Sequence, residues 1–192
     1  MSELSYRNRF LETRRAEAPS TGGEPANFAK KQETDGKIFC GQPPETSPPI
    51  PLTLLHPIFA QFVDDCEHSQ PSHQINKFTF KFANSMSKFY PNESARENEL
   101  KNCFSELGII FEKVKISGTR YEIDAGIEDN RFLIVCGEIK NDPAKNAADP
   151  FLQATLYYLE RTRVLAPIFP SSTLPVLIVI CSGALLNLSC QQ

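Results

Sequence analysis

The sequence predicts an α+β fold, an α/β sandwich, from three observations. Residues 94–107 repeat apolar side chains at helical spacing, with Leu100, Cys103, Phe104 and Leu107 on one stripe. Residues 109–140 contain three short apolar runs separated by turn signals. Beyond a helical stretch from Asp149 to about Val164 comes Leu174–Cys181, a Leu/Val/Ile run marked by Pro175 at its start and Gly183 after its end, that reads as a strand buried on both faces. A strand covered on both sides needs helices above and below it, and the stretches before and after the meander supply them.

The elements follow in order. Residues 1–51 are rich in Pro, Gly, Ser, Thr and charge, ending in Pro43-Pro44 and Pro48-Pro49-Ile50-Pro51, and are expected to form a mostly disordered arm, within which Tyr6–Ala18 could form a short helix on a partner. The folded domain is then 52–192, with a helical extension at 52–90 and a core at 93–183. In the extension, Leu55, Ile58, Phe59, Phe62 and Val63 predict one helix starting or breaking near Pro57; Phe78, Phe82 and Met86 predict a second over Asn76–Phe89. Their aromatic stripe is expected to be core, because aromatic side chains dominate burial. Strands are predicted at roughly 109–116, 121–127 and 131–140, turning at Ser117-Gly118 and Asp129-Asn130. Asp149 as N-cap with Pro150 at the first helical position marks the start of the next helix.

Chemistry concentrates at the ends of two predicted strands. Tyr121-Glu122-Ile123-Asp124-Ala125-Gly126 is followed by Leu133-Ile134-Val135-Cys136-Gly137-Glu138-Ile139-Lys140, and the two-residue period of a strand sends Glu138 and Lys140 to one face beside Asp124. A Glu-x-Lys tripeptide alone is weak, since about one is expected by chance at this composition, and Glu99-Leu100-Lys101 is a second copy in a helical pattern. The strand copy gains weight from Asp124 and from Gln153 and Tyr157, four residues apart on the following helix. Singly, each has a bland explanation: a solvated ion pair worth at most about 1 kcal/mol, a turn-proximal acid, a helix face packed on the sheet.

Together these residues resemble the PD-(D/E)XK (restriction-endonuclease-like) nuclease superfamily over roughly residues 93–183, through an acidic helix, Asp124, Glu138-Ile139-Lys140 and the Gln153-x-x-x-Tyr157 element of its RecB-like branches. Gly137-Glu138-Ile139-Lys140-Asn141 and Ala148-Asp149-Pro150-Phe151-Leu152-Gln153 look like the nuclease-like domain found ahead of protein-kinase domains in fungal, Crinkler-type proteins. The resemblance implies a restriction-endonuclease-like core and metal-dependent hydrolysis of nucleic acid, DNA before RNA. Asp124, Glu138, the Ile139 carbonyl and an acid of the first core helix would hold magnesium or manganese. Lys140 would orient or help deprotonate the attacking water, and Gln153 and Tyr157 would touch water, phosphate or base. For the helix acid, Glu97 is the first choice, with Glu93 and Glu99 behind it; a capping box Ser94-x-x-Glu97 explains the same residue equally well. The alternative is a non-catalytic module of the same fold, for protein or nucleic-acid interaction, that regulates a downstream kinase domain. This chain carries no glycine-rich loop, His-Arg-Asp or Asp-Phe-Gly signature.

Charge and cysteine usage narrow the class. The net charge of −3 falls entirely after residue 50, because residues 1–50 hold seven basic and seven acidic side chains, and this argues against tight nonspecific binding to DNA. Six cysteines without a Cys-x-x-Cys pair, three of them in apolar elements, predict a reduced intracellular protein of cytoplasm or nucleus. His56, His68 and His73 have no cysteines at ligand spacing, which makes zinc a poor fit. No apolar stretch reaches the ~20 residues that span a bilayer, so no membrane partner is expected.

Overall fold

The computed structural model describes residues 3–13, 17–34, 38, 53, 57–141, 148–172 and 174–191. The chain divides into two compact units, Gly41–Lys81 on one hand and Met1–Cys40 with Phe82–Gln192 on the other. The larger unit is mixed α and β, built on a five-stranded sheet in the order β1-β2-β3-β4-β5. These strands are β1 (Glu112–Lys115), β2 (Glu122–Asp129), β3 (Phe132–Lys140), β4 (Val176–Ser182) and β5 (Leu185–Gln191). The first three form the expected antiparallel meander. β3 and β4 are parallel, which requires a crossover, and β5 returns antiparallel to β4.

Helices cover both faces. The crossover helix has its N-cap at Asp149, whose Oδ1 accepts the amides of Phe151 and Leu152 at 2.9 and 3.0 Å, and Pro150 stands in its first turn as the sequence predicts. Its apolar side joins Ile123, Cys136, Ile178 and Ile180 in one core with Ala154, Tyr157 and Tyr158. Residues of opposite strand parity, Ile139 and Cys181, face the other side, where Cys181 Sγ meets Met86 Sδ at 3.7 Å and the Glu93–Ser105 helix packs on β2 and β3. β4 is buried along nearly its whole length, as its composition predicts. Cys103, Cys136 and Cys181 are buried free thiols, also as predicted.

Residues 3–34 correct the expectation of a disordered arm. They form α1 (Glu3–Thr13), α2 (Pro19–Gly22) and α3 (Pro25–Thr34). Leu11 of α1 is buried with Leu165, Ala166 and Leu174, and Arg7 donates to the Ser172 carbonyl. At the end of α2 the backbone runs against the crossover helix so closely that a Cβ on Gly22 would stand 2.7 Å from Leu156 Cδ1, and one on Gly23 would stand 3.0 Å from Gln153 Cα. The Gly23 carbonyl accepts the Asp149 amide at 2.9 Å. The glycines that made this segment look unstructured are what permit the contact. The Pro43–Pro51 part of the predicted arm lies outside the described residues, as do residues 142–147.

The helical extension is α4 (Pro57–His68) and α5 (His73–Met86), followed by α6 (Glu93–Ser105) and, after the meander, the crossover helix α7 (Pro150–Leu165). The aromatic stripe expected as core behaves differently along its length. Phe82 and Met86, in the larger unit, are buried, and the Phe82 ring meets Phe104 edge-on at 5.4 Å. In the smaller unit, α4 has no buried residue and Phe80 of α5 is 72% exposed. Amphipathic spacing records that a helix has an apolar face, not that anything covers it. No described helix is long and apolar enough to cross a membrane.

Candidate active site

Strand parity and a bulge assemble the site at the C-terminal end of β3. Glu112 pairs with Gly126 but Val114 pairs with Ile123, so two steps along β1 oppose three along β2 and one extra residue sits at Asp124–Ala125. Such bulges re-aim side chains. Between β2 and β3, Ala125 pairs with Gly137, so Asp124 comes opposite Glu138 at the next step. The approach is tight: a Cβ on Gly137 would lie 2.5 Å from the Ala125 carbonyl oxygen, and only glycine fits there. Beyond that pair the two strands cease regular bonding, and the Ile139 amide donates to Asp124 Oδ2 at 3.2 Å instead. Ile139, expected to offer a carbonyl, is thus seen anchoring Asp124 through its N–H.

Glu138 is 1% exposed, and its Oε1 lies 2.7 Å from Lys140 Nζ. Its Oε2 is buried and has no hydrogen-bonding partner among the described residues. Burial, the facing Asp124 and the nearby Glu93 push the Glu138 carboxyl up to about 8 against the pull of Lys140. Burial also raises Asp124, with Glu97 adding to the rise while the Ile139 amide, Lys140 and Lys113 oppose it. For Lys140, burial alone would favour the neutral amine, but Glu138, Glu93 and Asp124 more than offset it and leave the amine raised. The lysine is therefore an ammonium at neutral pH. A role in deprotonating water does not suit this state; orienting and charge stabilisation do.

Gln153 and Tyr157 of α7 are both buried against this group. Burial and the Glu138 charge raise the Tyr157 phenol, and a hydrogen bond from Gln153 opposes that rise. The two are neighbours on one helix face, as their spacing requires. On the same sheet face, Cys136 lies within electrostatic reach of Glu138 and Asp124, and burial holds its thiol well up.

The acids of α6 take separate roles. The capping box is overturned: Asn92, not Ser94, is the N-cap, with its Oδ1 accepting the Ala95 amide at 2.9 Å. An Asn in extended backbone two residues earlier claims the cap first, which leaves Glu97 beyond capping reach. Glu97 is buried and paired instead, with Lys101 Nζ at 2.5 Å and Lys113 Nζ at 3.5 Å. Glu99 turns away and accepts the Ser85 hydroxyl at 2.8 Å. Glu93 Oε2 stands 3.6 Å from Lys140 Nζ.

Sequence reasoning did not find Arg96. It is 3% exposed and donates from Nη1 to the carbonyls of Met86 and Gly183 at 2.7 and 2.6 Å, from Nη2 to that of Lys88 at 3.0 Å, and from Nε to Asn141 Oδ1 at 3.0 Å. Asn141 in turn donates to the Tyr90 carbonyl at 2.7 Å. The arginine ties α5, β3 and the β4–β5 turn together one residue beyond Lys140. Its signal was a cationic residue on the buried stripe of α6, next to Glu97.

A divalent ion is the group that the resemblance implies. Among the described residues, no group of three or more His, Cys, Asp or Glu side chains could hold one. What is available is the Asp124–Glu138 pair, hard carboxylate oxygens of which one is buried without a partner. A site for magnesium or manganese commonly uses one or two carboxylates and completes its shell with water and phosphate oxygen, and this donor set fits that chemistry. Comparison with family models, with curated proteins and with solved structures returned no match to this chain.

Proposed function

We propose that this chain is a metal-dependent nuclease of the PD-(D/E)XK kind, hydrolysing phosphodiester bonds of nucleic acid, with DNA preferred to RNA. The observation that carries the reading is the convergence of Asp124 and Glu138 at a bulged strand end, with an unpartnered carboxylate oxygen and the Lys140 ammonium 2.7 Å from its twin. When bound, magnesium or manganese would supply the positive charge that a transferring phosphoryl group requires and would acidify water. Asp124 and Glu138 would hold it. The Lys140 ammonium would orient water and stabilise charge on a non-bridging phosphate oxygen. Gln153, one helical turn from Tyr157 on the same face, would present its amide to the phosphate, and the two side chains together would exclude bulk water from the α7 side.

The test is plasmid nicking with magnesium or manganese, against the same reaction with chelator. Cleavage lost in chelator and in Asp124→Asn and Glu138→Gln, with folding retained, supports the reading. Equal cleavage by these variants would assign it to a contaminant, and absence of both cleavage and divalent-ion binding would end the proposal. A non-catalytic module of the same fold is the second reading, and the net charge of −3 favours it, since it gives little general attraction for phosphate backbone. Binding of divalent ion without any cleavage would select it.

A further inference from the structure

Lys140 occupies one oxygen of the carboxylate that a divalent ion would use, and the geometry indicates where the ammonium goes when such an ion arrives. An ion held by Asp124 and Glu138 would bring a second positive charge to the carboxylate that Lys140 pairs with, in surroundings where neither charge is well screened. Repulsion between the two charges would weaken the contact of the ammonium with Oε1. Asp124 offers no refuge, because it would share the ion. The next carboxylate is Glu93, whose Oε2 is 3.6 Å from Lys140 Nζ, so a displacement of about 1 Å converts that separation into a charge-assisted hydrogen bond.

Glu93 is built for this. It is the first residue of α6, immediately after the Asn92 cap, so its backbone position is set by the start of the helix. Arg96, one turn on, fixes α6 to Asn141, the residue after Lys140, so the acid and the lysine stem keep a set separation.

We propose that Glu93 is a positioning residue: it receives the Lys140 ammonium when a divalent ion takes Glu138, holding the lysine in the site beside the ion. The inference rests on the divalent-ion reading of Asp124 and Glu138, and the experiment separates the two. Manganese is titrated calorimetrically, at one pH and ionic strength, into the full chain and into Glu93→Gln, Lys140→Met, the double variant and Glu138→Gln, with folding of each checked by circular dichroism. Glu93→Gln should weaken manganese binding about fivefold, the size expected of one partly exposed ion pair. In the Lys140→Met background the same change should alter affinity less than twofold, because the ammonium that Glu93 serves is gone. Equal weakening in both backgrounds would make Glu93 a direct ligand or a general source of charge, and would overturn the positioning role. Wild-type affinity in Glu93→Gln would also overturn it while leaving the ion site intact. No binding by the wild type, or binding indifferent to Glu138→Gln, would remove the ion site and the proposal with it.

Discussion

Arg96→Met tests whether the end of β3 is held from α6. The guanidinium makes four hydrogen bonds of 2.6 to 3.0 Å from a position 3% exposed, and its planar group lies 4.7 Å from the Tyr90 ring centroid. Methionine keeps much of the volume and none of the donors. Three carbonyls, of Met86, Lys88 and Gly183, and the Asn141 amide oxygen then lose their partner. A buried acceptor left unmet costs ~1 to 3 kcal/mol, but the four are not additive and water reaches the partly buried ones. Removal of the charge itself returns some free energy, because burying it was unfavourable. The net expectation is a loss of about 3 to 5 kcal/mol, a large share of a small domain's stability. Arg96→Lys, which can serve at most part of this set, should fall between the two. Urea titration followed by circular dichroism, with the slope checked for two-state behaviour, measures both. A loss below about 1 kcal/mol for Arg96→Met would refute the clamp.

The remaining expectations concern the site and the N-terminal helices. Because the folded Glu138 carboxyl lies near 8, above its ordinary 4.5, the folded chain keeps a proton that the unfolded chain releases; stability is then full below about 4.5 and declines as pH rises towards 8. In chelator, Glu138→Gln should flatten that decline and be the more stable chain at pH 9, by at most on the order of 5 kcal/mol; denaturation at pH 5 and 9 checks it. The raised Lys140 amine acts in a different window, since its contribution is lost only as pH passes above the ordinary lysine range. Lys140→Ala should lower turnover at least a hundredfold while manganese binding persists, and Asp124→Ala should abolish both; nicking by Lys140→Ala at the wild-type rate would defeat the mechanism. A chain beginning at residue 41 loses the burial of Leu11 and Phe28, each worth about 1.5 to 3 kcal/mol, and should melt well below the full chain; an unchanged melting temperature would show that α1–α3 contribute nothing.

What the sequence made legible was set by local periodicity. β4 announces itself because a strand covered on both faces needs no polar alternation, and α7 because Asp149-Pro150 is a start signal with a geometric cause. The placement of Glu138 and Lys140 on one face followed from strand parity alone. Asp124 came out opposite Glu138 for a reason not in the pattern, a register shift between Ile127 and Glu128 that appears only when β2 is paired with β3. The docking of residues 3–34 depends on contacts with α7 more than a hundred residues away, so composition reported Pro, Gly and charge but not the groove that Gly22 and Gly23 fit. β5 was passed over because Leu185-Leu186-Asn187-Leu188 lacks alternation and exposes three leucines; its pairing with β4 organises it. Arg96 escaped because its place on the buried stripe of α6 signals burial but not the carbonyls of Met86, Lys88 and Gly183, which come from other parts of the chain.

The cost of the Glu138–Lys140 pair bears on what it is for. Glu138 stands in the sheet between Cys136 and the end of β3, beside Ile180 in the neighbouring strand, a position where an aliphatic side chain would pack without desolvating any charge. The pair as built buries a carboxylate far above its ordinary protonation range and leaves one of its oxygens unmet. Buried ion pairs are seldom a net gain over well-packed hydrophobic residues, and a half-satisfied polar group is worse than none. Fold stability therefore does not explain the arrangement. The surrounding devices all act on the same few atoms: the bulge at Asp124, the glycine at 137, the Ile139 amide, and Arg96 holding Asn141. A buried, half-met carboxylate supported from three elements is what the proposed cation site would need, and it is the feature that the proposal accounts for.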